Sequence, residues 1–152
     1  MDISAADIVI VQGPHPARRG LSGEALAGLR GIARAAGSIL RVRSCASLRE
    51  LIASLRSVRA RGDFVLLDPG ELADPMRSDA TLREALESMR TPYVEVHERC
   101  ADVLELPLRA QAMPLATIVI HGDLGASYRI GLGIALRRLG RHAAHTLPLT
   151  RE

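Results

Sequence analysis

The chain contains no lysine: each of its 20 basic residues is an arginine. Schiff-base chemistry on a lysine amine is therefore excluded. Aromatic residues make up only 2% of the sequence, so there is little to stack on bases. The arginines are spread along predicted helices rather than grouped in blocks, and no nucleic-acid partner is expected. No apolar run reaches the roughly 18 residues of a membrane span, and no signal peptide precedes Asp7. A cytoplasmic location without a membrane partner is the expectation. Cysteine is nearly absent too. Cys45 and Cys100 are too few for a disulfide framework and read as reduced thiols.

What is present is aliphatic. Hydrophobic residues account for 47% and charged residues for 24% of the 152 positions, with a net charge of +3. That balance describes one globular domain able to bury a core of Leu, Ile, Val and Ala. The core is expected over about residues 6–140, with a loosely ordered tail at 141–152.

Apolar runs and turn residues divide this core. Ala6–Gln12 reads as a first strand, followed by a Gly/Pro loop, Gly13-Pro-His-Pro-Ala-Arg-Arg-Gly20. Ser22 is a natural N-cap. Behind it Ala25, Leu26, Leu29, Ile32, Ala33 and Ala36 recur at helical spacing up to Gly37. Ile39–Arg43 alternates apolar and charged, as a half-buried edge strand does. Ser47-Leu-Arg-Glu50 is a capping box opening a second helix. Phe64–Leu67 is apolar on both faces and therefore central. A helix over Ser78–Arg90 leads to a fourth strand, Tyr93–Val96. Residues 98–113 read as an irregular return. Ala116–His121 is the fifth strand, and Gly125–Leu139 the last helix, weakened by Gly131 and Gly133.

Strands alternating with helices imply an α/β fold: a flavodoxin-like three-layer sandwich whose five-stranded parallel sheet has the order 2-1-3-4-5. Ligands of such sheets bind beyond the strand C-termini, at the switch between strands one and three. That rule gathers His15 and Pro14, Asp68 and Gly70, and the Glu95/His97 strand end into one candidate site. Pro14 and Pro16 remove backbone donors that a flavin or phosphate cradle would need. A phospho-receiver would require an acidic pair after strand one and a lysine after strand five, and neither occurs. His15, Asp68, His97, His121 and Asp123 are metal-ligand types, but their spacing matches no metal motif; no metal is expected.

Gly13-Pro14, Asp68-Pro69-Gly70, Leu82-Arg-Glu-Ala-Leu86, Pro92-x-Val94-Glu95-Val96-His97 and the Gly-rich last helix resemble the type II 3-dehydroquinate dehydratases, over about residues 7–139. The resemblance implies the flavodoxin-like fold, a trimer-based homo-oligomer that can reach a dodecamer, and loss of water from a small-molecule substrate through an enolate without cofactor. It makes His97 the general acid and Glu95 its orienting neighbour. Asp68 and His15 stand where the family has asparagines that bind substrate and position water. Glu84 would reach a neighbouring subunit's site. Arg109 would bind substrate, and Arg18 or Arg19 would supply the lid arginine. The lid tyrosine has no counterpart before Tyr93.

Without that tyrosine the usual proton abstraction has no agent. A negative Asp68 where an enolate develops also opposes its stabilisation unless a cation compensates. The resulting expectation is a dehydratase/lyase or related acid–base enzyme with an altered site. His97 would be the acid, His15 the base oriented by Asp68, and Arg18 or Arg19 the anion clamp. The rival expectations are an authentic 3-dehydroquinate dehydratase with a shortened lid, and a catalytically silent binding or structural subunit. Tyr128, at the start of the last helix, is a minor candidate to replace the tyrosine.

Overall fold

The computed structural model describes residues 5–16 and 20–146. Its strands are β1 (Ala6–Gln12), β2 (Ser38–Ser44), β3 (Phe64–Asp68), β4 (Tyr93–His97) and β5 (Thr117–Val119). They form one five-stranded parallel sheet in the order β2-β1-β3-β4-β5. The helices are α1 (Gly23–Ala35), α2 (Leu48–Arg61), the single turn α3 (Ala73–Met76), α4 (Ala80–Met89) and α5 (Leu124–Thr146). The fold is the α/β, flavodoxin-like arrangement that the strand pattern implies. No helix among the described residues is long and apolar enough to cross a membrane.

Local chemistry sets the helix boundaries. The Ser22 hydroxyl accepts from Ala25 N at 3.0 Å and opens α1. Gly37, at φ +79°, turns the chain out of it. Ser47 accepts from Glu50 N at 3.2 Å, while the Glu50 carboxylate reaches back to Ala46 N at 2.6 Å. Each cap supplies an acceptor to a helix-end N–H that has no partner inside its own helix. Asp79 caps α4 in the same way through Leu82 N. Residues 98–113 contain only two short 3-10 turns, Cys100–Asp102 and Ala110–Ala112.

Helices cover both faces of the sheet. Val9, Val11, Val65, Leu67 and Tyr93 pack with α2, α4 and Met76. Ile8, Ile10, Phe64, Leu66, Val94 and Val96 pack with α1 and α5. The strand β3 is buried at every position, as a central parallel strand must be. At the other extreme, the edge strand β2 alternates, with Ser38 and Leu40 buried and Ile39 46% exposed.

The stripe Leu124, Tyr128, Leu132 and Ala135 holds α5 against β3 and β4. These positions recur at helical spacing and share one face. Gly131 lies on that face: an added Cβ would sit 3.0 Å from Val96 and 3.3 Å from Val94. The glycine thus lets the helix pack close to the sheet, which brings Tyr128 to the C-terminal ends of the strands.

Three expectations change. Ile32, expected inward, is 45% exposed, because α1 buries Leu29 and Ala33 instead. The strand β5 is shorter than Ala116–His121. The helix α5 continues through Gly140 to Thr146 rather than stopping at Leu139. The tail is therefore helical that far; residues 147–152 lie outside the described residues.

Candidate active site

β1 and β3 end side by side, with Gln12 in register with Asp68. Alternation along each strand points both side chains to the α1/α5 face, where Tyr128 arrives. The loops that follow are locked together. Gly13 N donates to Asp68 O at 2.7 Å, and Glu71 N donates to Pro14 O at 2.8 Å. A Cβ on Gly13 would collide with the Pro69 carbonyl, and one on Gly70 with the Pro14 carbonyl. Gly70 also adopts φ +55°, a conformation costly to residues with a side chain.

This framework folds His15 back over Asp68. His15 Nε2 lies 2.6 Å from Asp68 Oδ2, and the Tyr128 hydroxyl donates to the same oxygen at 2.7 Å. Gln12 Nε2 donates to it at 3.4 Å, while Gly70 N donates to Oδ1 at 3.2 Å. Asp68 is 1% exposed and Tyr128 fully buried. A carboxylate accepting from several groups is how a buried acid avoids the desolvation penalty of an unpaired charge.

The pair is electrostatically tuned. Burial pulls the His15 pKa down, but the hydrogen bond and charge of Asp68, with the charges of Glu98 and Asp102, outweigh it. The net result is a value above 6.5. Because the folded state holds this proton more tightly, the pair's contribution to stability is complete below about pH 6.5 and is lost as pH rises through the folded value. Urea titrations across that window should show stability falling with pH, and His15→Gln should remove that component. An unchanged pH profile in the variant would contradict the assignment. Tyr128 moves upward as well: burial is the main cause, followed by the Asp68 charge and hydrogen bond, with Gln12 opposing weakly.

Two clefts open above these strand ends. One, of about 620 Å³, is lined by Gln12, Pro14, His15, Leu21, Ser44 and Glu50 among others. Its neighbour, of about 630 Å³, is lined by Ser22, Glu98, Arg99, His121, Asp123 and Arg129 among others. Gly20 and Leu21 contribute to both.

The other expected pair is formed but sits elsewhere. His97 Nε2 lies 3.0 Å from Glu95 Oε2, and both residues are 2% exposed. Alternation in β4 aims them to the α2/α4 face, opposite to Asp68. The strand end is fixed from the other side by Ser127, whose hydroxyl donates to His97 O at 2.6 Å and accepts from Ile120 N at 3.1 Å. His97 lines neither cleft.

The remaining expected site residues are spread apart. Pro14 and Gly70 build the interlocked loops. Glu84 is exposed on α4. Arg109 is exposed, and its backbone N meets Glu87 Oε1 at 3.3 Å, away from the clefts. Arg18 and Arg19 lie outside the described residues. His121 is exposed near Cys100, and Asp123 caps α5 through Ala126 N at 3.0 Å. Among the described residues, no three His, Cys, Asp or Glu side chains are grouped to hold a metal ion. Gln12 and Tyr128 are the residues that sequence reasoning undervalued. The signals were there: Gln12 ends a strand beside the switch point, and Tyr128 lies one helical turn from both Leu124 and Leu132.

No family model matches the sequence, and no curated protein matches it. Solved structures do. A 3-dehydroquinate dehydratase-like protein from Bifidobacterium longum superposes with a TM-score of 0.62 at 18% identity, over 88% of this chain and 98% of that one. The type II dehydroquinase from Propionibacterium acnes gives 0.66 at 17% identity, over 88% and 97%. The chain therefore has the flavodoxin-like fold of these two proteins along nearly their whole length.

Proposed function

We propose that the chain is a divergent type II 3-dehydroquinate dehydratase-like enzyme whose acid–base centre is the His15–Asp68 pair. The reaction is a cofactor-free elimination, or a related proton transfer beside a carbonyl, on a small cyclic or hydroxy-acid substrate. One observation carries this reading: an imidazole lining a cleft at the strand C-termini, 2.6 Å from a buried carboxylate. A carboxylate behind an imidazole orients it and stabilises its protonated form, as acid–base catalysis requires. In this reading His15 takes the proton beside the carbonyl and, as imidazolium, returns one to the departing hydroxyl. The strand end held by Glu95 and His97 supports the site from the opposite face.

The tyrosines argue against the unaltered dehydroquinase reaction. The Tyr93 hydroxyl donates to Ala112 O at 2.8 Å, and its pKa is driven upward by burial and then by Glu95. Tyr128 is buried against Asp68 and shifted the same way. Neither phenol is poised to act as a phenolate base. Altered chemistry on the inherited fold is favoured over an authentic enzyme with a short lid. In D₂O, the protein should catalyse exchange of hydrogens beside the carbonyl of 3-dehydroquinate or of related cyclic keto acids, followed by NMR. Exchange no faster than in buffer across such a panel would overturn the proposal.

A further inference from the structure

The geometry points to Tyr128 as a positioning residue that, acting through Asp68, fixes the His15 tautomer so that Nδ1 is the nitrogen offered to the cleft. This rests on the reading of His15 as the acid–base group. Asp68 Oδ2 accepts the Tyr128 hydroxyl at 2.7 Å and faces His15 Nε2 at 2.6 Å. An ionised carboxylate has no proton to give. Neutral His15 must then carry its proton on Nε2 to keep that contact. Nδ1 is left as the lone-pair nitrogen, and among the described residues it has no hydrogen-bond partner. His15 lines the cleft of about 620 Å³, and with Nε2 engaged by Asp68, Nδ1 is the nitrogen left for a ligand. The logic is that of any carboxylate that orients a working imidazole by binding its other nitrogen.

Tyr128 helps to keep Asp68 from swinging. The carboxylate is approached from β1 by Gln12, from its own turn by Gly70 N and from α5 by Tyr128. Among the described residues, the phenol is the only short side-chain contact of Asp68 besides His15. It also draws charge off the oxygen that faces the imidazole. Among the described residues, the other charged groups acting on His15 are Glu98 after β4 and Asp102 in the following 3-10 turn, and neither would be altered by a change at Tyr128.

The test is ¹⁵N NMR of the imidazole in the full-length protein, with no substrate present. In the wild type, deprotonated His15 should be the Nε2–H tautomer. In Tyr128→Phe, Asp68 loses one donor and concentrates its charge on His15. The His15 titration midpoint should then rise by on the order of half a pH unit or more. A wild-type Nδ1–H tautomer, or a midpoint that does not rise in Tyr128→Phe, would overturn the assignment. A merely structural tyrosine would lower the melting temperature without moving the midpoint. Because these signals need no substrate, the positioning role and the proposed reaction can fail independently.

Discussion

Replacing Asp68 with alanine should cost about 3 kcal/mol of folding stability and lower exchange activity by at least about 100-fold. The stability loss follows from what is left behind. The Tyr128 hydroxyl is fully buried, and without Asp68 it loses the acceptor it has among the described residues. Gln12 and the Gly70 N–H lose theirs too. An unsatisfied buried polar group costs about 1–3 kcal/mol. His15 adds less, because it can shed its proton and avoid standing as an unpaired charge. For a chain of this length the change lowers the melting temperature by roughly 10 °C. Asp68→Asn should be milder, about 1–2 kcal/mol, because one amide oxygen can still accept from Tyr128 and His15. Urea denaturation of both variants measures this, and an alanine variant as stable as the wild type would contradict the network.

Gly70→Ala should be comparably severe, with a loss of about 3 kcal/mol. Its backbone sits at φ +55°, which costs a residue with a Cβ about 1–2 kcal/mol. The new Cβ also meets the Pro14 carbonyl, an oxygen already bonded to Glu71 N. Backbone cannot rotate away as a side chain can, so the two loops must part, and His15 moves off Asp68 with them. Gly133→Ala is the internal control: nothing lies within 4 Å of its added Cβ, and in a helix interior alanine is favoured over glycine by up to about 1 kcal/mol. Thermal melts should therefore move in opposite directions. Equal stability of Gly70→Ala and wild type would show that the loops do not interlock.

Much of this architecture could be read from residue order, because the signals were local. Ser22, Ser47 and Gly37 mark helix ends by the bonds and angles they favour. The wetness of Ile39–Arg43 placed β2 at an edge, which, with strands alternating with helices, suits the order 2-1-3-4-5. The switch-point rule then brought His15 to Asp68. The face on which each pair sits was not legible. Period-two alternation reveals a strand's faces only when one face is polar, and β3 and β4 are buried on both. Nothing in Tyr93–His97 therefore announces that Glu95 and His97 point away from Asp68. Tyr128 meets Asp68 across 60 residues of sequence, a contact made by packing rather than by pattern. The last helix is expected to end at Leu139, yet the next residue, Gly140, costs a helix only about 1 kcal/mol, and α5 runs on to Thr146.

The central claim is that His15, backed by Asp68, moves the proton. It is tested most directly by comparing wild type and His15→Ala in the D₂O exchange experiment, with His97→Ala alongside. The expected result is catalysed exchange in the wild type and a fall of about 10²- to 10⁴-fold in His15→Ala. His97→Ala should retain most of the rate among molecules that stay folded, since His97 lines neither cleft. A His15→Ala variant that exchanges as fast as the wild type would contradict the account.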